Sequence, residues 1–223
     1  MAWHGGLQRS ITNTEPQLIL DIIASSDILD KLKAFTKKND EGDESYPLFD
    51  LFEKINEISL QSGHPFAYNQ IGWARLELNK EERYILVDEI QSDHMNACKR
   101  LTNSGDPDIS KLRDSLCSRY NLDIVEFNSM IDLYKKIISD FPAIANEAII
   151  KFAKNNKYIK LFWHTLESGK KFKKNSPPAS LYSDIPKKHF YSDTNEKPFG
   201  LESSFMMRMA RYGKLLSIKY GKL

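Results

Sequence analysis

Apolar residues recur at helical spacing through the first sixty positions of this chain. Thr14 is a good N-cap, Glu15 and Pro16 fill the first turn, and Leu18, Ile19, Ile22 and Ile23 then predict a helix. Ser26 or Asp27 opens a second helix through Ile28, Leu29, Leu32 and Phe35, which ends in the polar run Lys37 to Glu44. A third is expected from about Pro47 to Gln61, with Leu48, Leu51, Phe52, Ile55 and Ile58 on one face and Gly63 as its stop. The residues before Thr14, including Trp3-His4-Gly5-Gly6, have no period and read as a loose lead-in.

After Gly63-His64-Pro65 the spacing changes to that of a hairpin: Ile71 to Leu78, a polar turn Asn79-Lys-Glu-Glu82, and Tyr84 to Val87. Tyr84-Ile-Leu-Val87 is apolar on both pleat faces, which predicts a central strand covered on both sides. It ends on Glu89-Ile-Gln-Ser-Asp93, and Ser92 can cap a helix from Asp93 to about Leu101. Helical spacing continues over about Ile109–Tyr120, Ile124–Ser139 and Ala143–Asn155, and the last of these feeds a second strong strand, Tyr158-Ile-Lys-Leu-Phe-Trp-His164. A basic loop, Gly169 to Pro178, a short helix from Leu181 to about His189 and a final strand from Leu215 to Tyr220 complete the reading. The fold class expected is α+β or α/β: a mixed, partly antiparallel sheet flanked by helices, with a helical N-terminal region at 1–62 on an α/β core at 63–223.

With 223 residues, 41% of them hydrophobic, the chain can bury a core. No apolar run has the length of a membrane span and no leader pattern is present, so the expected setting is the cytoplasm. Cys98 and Cys117 form neither a CxxC nor a Cys/His cluster, which argues against a disulfide scaffold or a structural zinc. Charge adds an asymmetry. Residues 1–150 hold 16 Lys+Arg against 25 Asp+Glu, and residues 151–223 hold 16 against 5. A basic C-terminal third matches either the acidic first part or an external anion such as a phosphate or nucleic acid; a solvated lysine surface explains it equally simply.

Chemistry concentrates at the ends of the two strong strands, where α/β proteins place their ligands. Strict alternation puts Glu89 and Gln91 on the face of Ile85 and Val87, and Asp88 with Tyr84 and Leu86. Glu89 has two readings: a general base beside an apolar pocket, or the partner of Arg75 on the neighbouring strand. Asp93 either orients substrate or favours the dipole of its helix. His164 is an acid, a base or a substrate contact, or else a hydrogen-bonded core residue, and His94 has the same alternatives. Lys170, Lys171, Lys173 and Lys174 form a cluster suited to phosphates, with Phe172 and Tyr182 available to stack on a base. No Walker A loop, GxGxxG or GxSxG is present, which gives P-loop NTPase, Rossmann dehydrogenase and α/β-hydrolase readings no support; the histidines show no HxH or HExxH spacing, so no metal is expected, and a metal site from Glu89, Asp93, His94 and His164 ranks last.

Two resemblances extend this reading. Gly72-Trp-Ala-Arg75 followed by Glu89-Ile-Gln-Ser-Asp93, with Leu161-Phe-Trp-His-Thr165 later, resembles a domain of phage and mobile-element proteins whose activity is undefined. Such a setting implies a host cytoplasm. The order hairpin, helices, strand, short helix is similar to the GNAT acetyltransferase superfamily. That resemblance implies acyl transfer from acetyl-CoA or a related acyl-CoA to a small-molecule or protein amine. Glu89 would be the base, Tyr182 the acid, and His164 a further catalytic group. Trp73, Arg75, Gln91 and Asp93 would contact substrate, and Lys170, Lys171, Lys173 and Lys174 the cofactor phosphates. The superfamily's glycine-rich turn is replaced by Gln91-Ser-Asp-His-Met-Asn-Ala. The alternative is a phage protein without enzymatic activity that binds nucleic acid or a host protein through its basic C-terminal third.

Overall fold

The hairpin expected from the alternation after residue 70 forms the middle of the sheet. In the computed structural model, β5 (Gln70–Asn79) and β6 (Tyr84–Gln91) pair antiparallel, from Asn79↔Tyr84 to Trp73↔Gln91. The structure describes residues 3–9, 16–38, 42–61, 69–103, 107–172, 188, 192–198 and 211–219. Arg83 closes the turn at φ 56°, the left-handed conformation that ends a four-residue loop, and the Asn79 side chain accepts from the Glu82 amide at 2.8 Å. β7 (Lys160–His164) runs parallel to β6 on its other side, and β9 (Leu215–Lys219) pairs antiparallel with β7. With β1 (Trp3–Arg9), β2 (Pro16–Ile23) and β8 (Ser192–Thr194), the sheet order is β1-β2-β5-β6-β7-β9-β8. The chain is therefore α/β with a mixed sheet, and β6 is central as its apolar run requires.

The N-terminal segment departs from the sequence reading. Trp3–Arg9 is a strand and not a loose lead-in, and Pro16–Ile23 is a strand where a helix was expected. The run Leu18-Ile-Leu-Asp-Ile-Ile23 is apolar at five of six positions, so it fits the helical period without requiring it. Its three isoleucines favour a strand buried on both faces, and Leu18, Ile19, Leu20 and Ile22 are all buried.

The chain divides into two compact units that interleave along the sequence. One comprises Met1–Ala2, Asp21–Gly72 and Ser92–Phe141; the other comprises Trp3–Leu20, Trp73–Gln91 and Pro142–Leu223. The first is mainly helical: α1 (Ser26–Lys33), α2 (Pro47–Gln61), α3 (Asp93–Asn103), α4 (Pro107–Arg119) and α5 (Ile124–Ile138). A two-residue ladder of β3 (Lys37–Lys38) with β4 (Glu44–Ser45) lies in the segment expected to be only a polar linker. Helix ends follow local chemistry. Ser25 caps α1, Pro47 opens α2, and Asp123 with Glu126 makes a reciprocal capping box on α5. The unit's core is the apolar stripe of α2 (Leu48, Leu51, Phe52, Ile55) and that of α5 (Phe127, Met130, Ile131, Tyr134, Ile138), and α3 packs on both helices.

The second unit holds most of the sheet, most of α6 (Phe141–Asn155) and α7 (Leu166–Phe172). α6 ends where Lys157 turns left-handed at φ 60°. The amide of Tyr158 then bonds Ala153 O at 2.9 Å, and that of Lys157 bonds Lys154 O at 3.0 Å. The Tyr158 ring stacks on Phe152, so the same turn that stops the helix aims the chain into β7. Thr165 accepts from the Ser168 amide at 3.2 Å and caps α7.

Candidate functional site

The carboxyl end of β6 does not keep strict alternation. The pairing with β5 runs Leu76↔Val87 and then Arg75↔Glu89, so Asp88 is an extra residue in a β-bulge. A bulge turns two successive side chains toward one partner, and Arg75 meets both. Its Nε donates to Asp88 Oδ2 at 2.5 Å and its Nη2 to Glu89 Oε2 at 2.7 Å. This corrects the assignment of Asp88 and Glu89 to opposite faces. Glu89 is paired with Arg75 on the neighbouring strand. One guanidinium fork serves two carboxylates, a geometry that lysine cannot supply. The two pairs differ in depth: the Asp88 side chain is 2% exposed, whereas Glu89 is 28% and Arg75 34% exposed.

Behind the bulge, β7 contributes His164, which is fully buried. The parallel ladder runs from Tyr84↔Lys160 to Val87↔Trp163, which sets His164 opposite Asp88. His164 Nε2 lies 2.9 Å from the backbone oxygen of Asp88. A carbonyl only accepts, so Nε2 carries the proton and donates. Trp73 is buried, is the register partner of Gln91, and lies under the Arg75 guanidinium, which is 5.9 Å from its ring. Arg75, Glu89, Gln91, Trp73 and His164 are thus brought together in one unit, with Asp88 added. The doublet Asp88-Glu89 was the visible signal for Asp88: two adjacent carboxylates at a strand end break a period of two.

Other predicted site residues fall elsewhere. Asp93 belongs to the first turn of α3, in the helical unit. Lys170 and Lys171 are exposed on the last turn of α7. Tyr182, Lys173 and Lys174 lie outside the described residues. Among the described residues no group of three or more His, Cys, Asp or Glu is arranged to hold a metal ion, and no helix is long and apolar enough to cross a membrane.

The second buried histidine, His94 on α3, sits in a closed network within the helical unit. Nε2 lies 2.9 Å from Gln70 O and 3.0 Å from Asn56 Oδ1, so it is the protonated nitrogen. Nδ1 accepts from the Tyr134 hydroxyl at 2.5 Å, and Phe52 stacks on the ring with centroids 4.8 Å apart. Burial lowers its pKa to about 4, against the opposing pull of the Gln70 carbonyl and Asp93, so the ring is neutral at pH 7. Ser92 closes the network by donating to Ile71 O at 2.5 Å and accepting from the Met95 amide at 3.2 Å. Cys98, one turn beyond His94, is buried, and burial pushes its thiol up to about 12, leaving an inert core residue.

The first turn of α3 is capped by the Ser92 hydroxyl and carries Asp93, so it repels an anion. The chain matches no family model, no curated protein and no solved structure at the significance required.

Proposed function

We propose that the sheet-bearing unit is an acyltransferase-like enzyme of the GNAT type, moving an acyl group from a CoA-type donor to an amine, in a phage or mobile-element setting. The observation that carries this reading is the bulged carboxylate pair at the end of β6. β6 lies between antiparallel β5 and parallel β7. Ligands of open α/β sheets bind beyond the carboxyl ends of strands.

In this reaction the amine nitrogen attacks the thioester carbonyl carbon. A C–N bond forms, the C–S bond breaks, the amine's proton passes to a carboxylate, and the sulfur leaves as thiol after gaining a proton. Glu89 is the proton acceptor. Its Oε2 is held by Arg75, its other oxygen is not used in that pair, and it is more exposed than Asp88. The net charge of Arg75 with two carboxylates is −1, which favours an ammonium-bearing acceptor. Gln91, beside Glu89 on the same strand face, orients it, and Lys170 and Lys171 take the donor's phosphates.

Acetyl-CoA at 100 times its Kd raises native stability by about 2.7 kcal/mol. A melting-temperature rise with acetyl-CoA that shrinks in Lys170→Ala/Lys171→Ala supports the reading; no shift with any acyl-CoA at millimolar concentration defeats it. The exposed lysines of α7 also support a second reading, nucleic-acid binding by the basic C-terminal third. Retention of DNA or RNA that weakens steeply with salt, without any acyl-CoA effect, would select it.

A further inference from the structure

We propose that His164 is a positioning residue: its Nε2–H bond to the Asp88 carbonyl fixes the bulge in β6, so that Arg75 clasps Asp88 and Glu89 together. The proposal deepens the acyl-transfer reading and rests on it only for the identity of the ligand.

The ladder supplies the reason. Up to Val87↔Trp163 the backbones of β6 and β7 pair directly. At the next step the inserted Asp88 bends β6, and a bulge disrupts the regular exchange of backbone bonds. The Asp88 carbonyl nevertheless has to be satisfied, because Asp88 is buried and an unmet buried carbonyl is costly. The His164 ring spans the distance and donates at 2.9 Å. Its own backbone is held on the far side, through the register pair His164↔Leu215 and the Thr165 amide bond to Lys214 O at 3.0 Å. The following residues stiffen that anchor. Ser168 Oγ donates to Lys214 O at 2.9 Å and accepts from the Lys214 amide at 2.5 Å. The imidazole is therefore fixed from β9 and α7, and it fixes the strand that carries the carboxylates.

Direction matters as much as reach. Asp88 and Glu89 meet one guanidinium only while the bulge holds both side chains on the Arg75 side. Relaxation to regular alternation would send one of them to the opposite face. A residue of zero exposure touches no substrate in this arrangement, so His164 acts through Asp88 and not on the reacting atoms.

The test uses the full chain labelled with 15N. In the wild type at pH 7, His164 is expected to carry a proton on Nε2, and the Arg75 Nε proton to be slow to exchange. His164→Gln keeps an amide donor and is expected to preserve the slow Arg75 proton. His164→Leu removes the donor and is expected to speed that exchange at least tenfold while the amide spectrum stays dispersed. A proton on Nδ1 in place of Nε2, an unchanged Arg75 proton in folded His164→Leu, or a fast one in folded His164→Gln each overturns the proposal. Should His164→Leu not fold, the wild-type tautomer and His164→Gln still decide. Absence of an acetyl-CoA effect with the expected Arg75 behaviour would sink the acyl-transfer reading and leave the positioning role standing.

Discussion

The two buried histidines sit in opposite kinds of surroundings. His94 is enclosed by a stacked phenylalanine, a tyrosine hydroxyl, an asparagine and a backbone carbonyl, and both of its nitrogens are engaged. His164 is as deeply buried, but its bonded neighbour is the backbone of a carboxylate residue, and the Arg75–Glu89 pair beside it reaches solvent. Burial alone therefore does not separate a histidine enclosed by the core from one beside a partly exposed ion pair. What separates them is the exposure of the charged groups their bonds lead to. The direct partners of the His94 ring, Asn56, Gln70, Tyr134 and Phe52, are all buried, and the His164 chain runs through Asp88 and Arg75 to Glu89, which is 28% exposed.

Breaking the outward chain at its centre should have the largest effect. Arg75→Met leaves Asp88, 2% exposed, without the guanidinium that compensates it. Losing one partner of a buried ion pair costs about 3 kcal/mol. Denaturant unfolding followed by tryptophan fluorescence would read this directly, since Trp73 and Trp163 both lie in the sheet-bearing unit. Arg75→Lys should recover only part of the loss, because a lysine cannot serve two carboxylates in fork geometry. A loss below about 1 kcal/mol for Arg75→Met would show that Asp88 draws its support from elsewhere.

The inward network is tested by acid. His94 has a folded pKa of about 4 against 6.5 in the unfolded chain, so between those values the unfolded state binds the extra proton. Its contribution is fully present above pH 6.5 and is lost as pH falls toward 4, amounting to about 3 kcal/mol at 1.36 kcal/mol per pKa unit. His94→Gln keeps a donor for Gln70 O and an acceptor for Tyr134 but does not titrate. The unfolding midpoint of the wild type should therefore fall more steeply from pH 6.5 to 4 than that of His94→Gln. Parallel pH profiles would mean that the ring is not held neutral. A smaller change in the same network is Tyr134→Phe, which removes the donor to Nδ1 at the price of one unmet acceptor, about 1–2 kcal/mol. Its effect should vanish in a His94→Phe background, and equal losses in both backgrounds would uncouple the two residues.

How much of this was legible in the sequence depends on the range of the interaction. The hairpin, helices α2 to α6, the strand ending at His164 and the final strand follow from local spacing, capping residues and turn chemistry. The strand Pro16–Ile23 does not, because an almost uniformly apolar run carries no period to read. The site was half legible. Glu89, Gln91, Arg75 and His164 stand out as polar residues at the ends of apolar strands. The bulge that joins Asp88 to them is a matter of register between two strands, which no single strand records. His94 shows the reverse. Its partners Asn56 and Tyr134 lie 38 and 40 residues away, and nothing in Gln91-Ser-Asp-His-Met marks them.

The smallest effect on the fold is expected at the residue given the chemical role. Glu89→Gln is nearly isosteric, and Glu89 is 28% exposed, so the pair it loses with Arg75 is screened by solvent and worth less than about 1 kcal/mol. The variant keeps a side-chain oxygen for Arg75 Nη2 but cannot take up a proton as a carboxylate does. Amine acylation should therefore fall about 100-fold, the lower end of what a positioned general base contributes, while the unfolding midpoint barely moves. Asp88→Asn provides the contrast, because it alters a buried charge and should disturb stability before anything else. If Glu89→Gln were instead the more destabilising of the two, the exposed end of the chain would be structural. The division between a histidine whose direct partners are all buried and one whose chain leads to a partly exposed carboxylate would then lose its meaning.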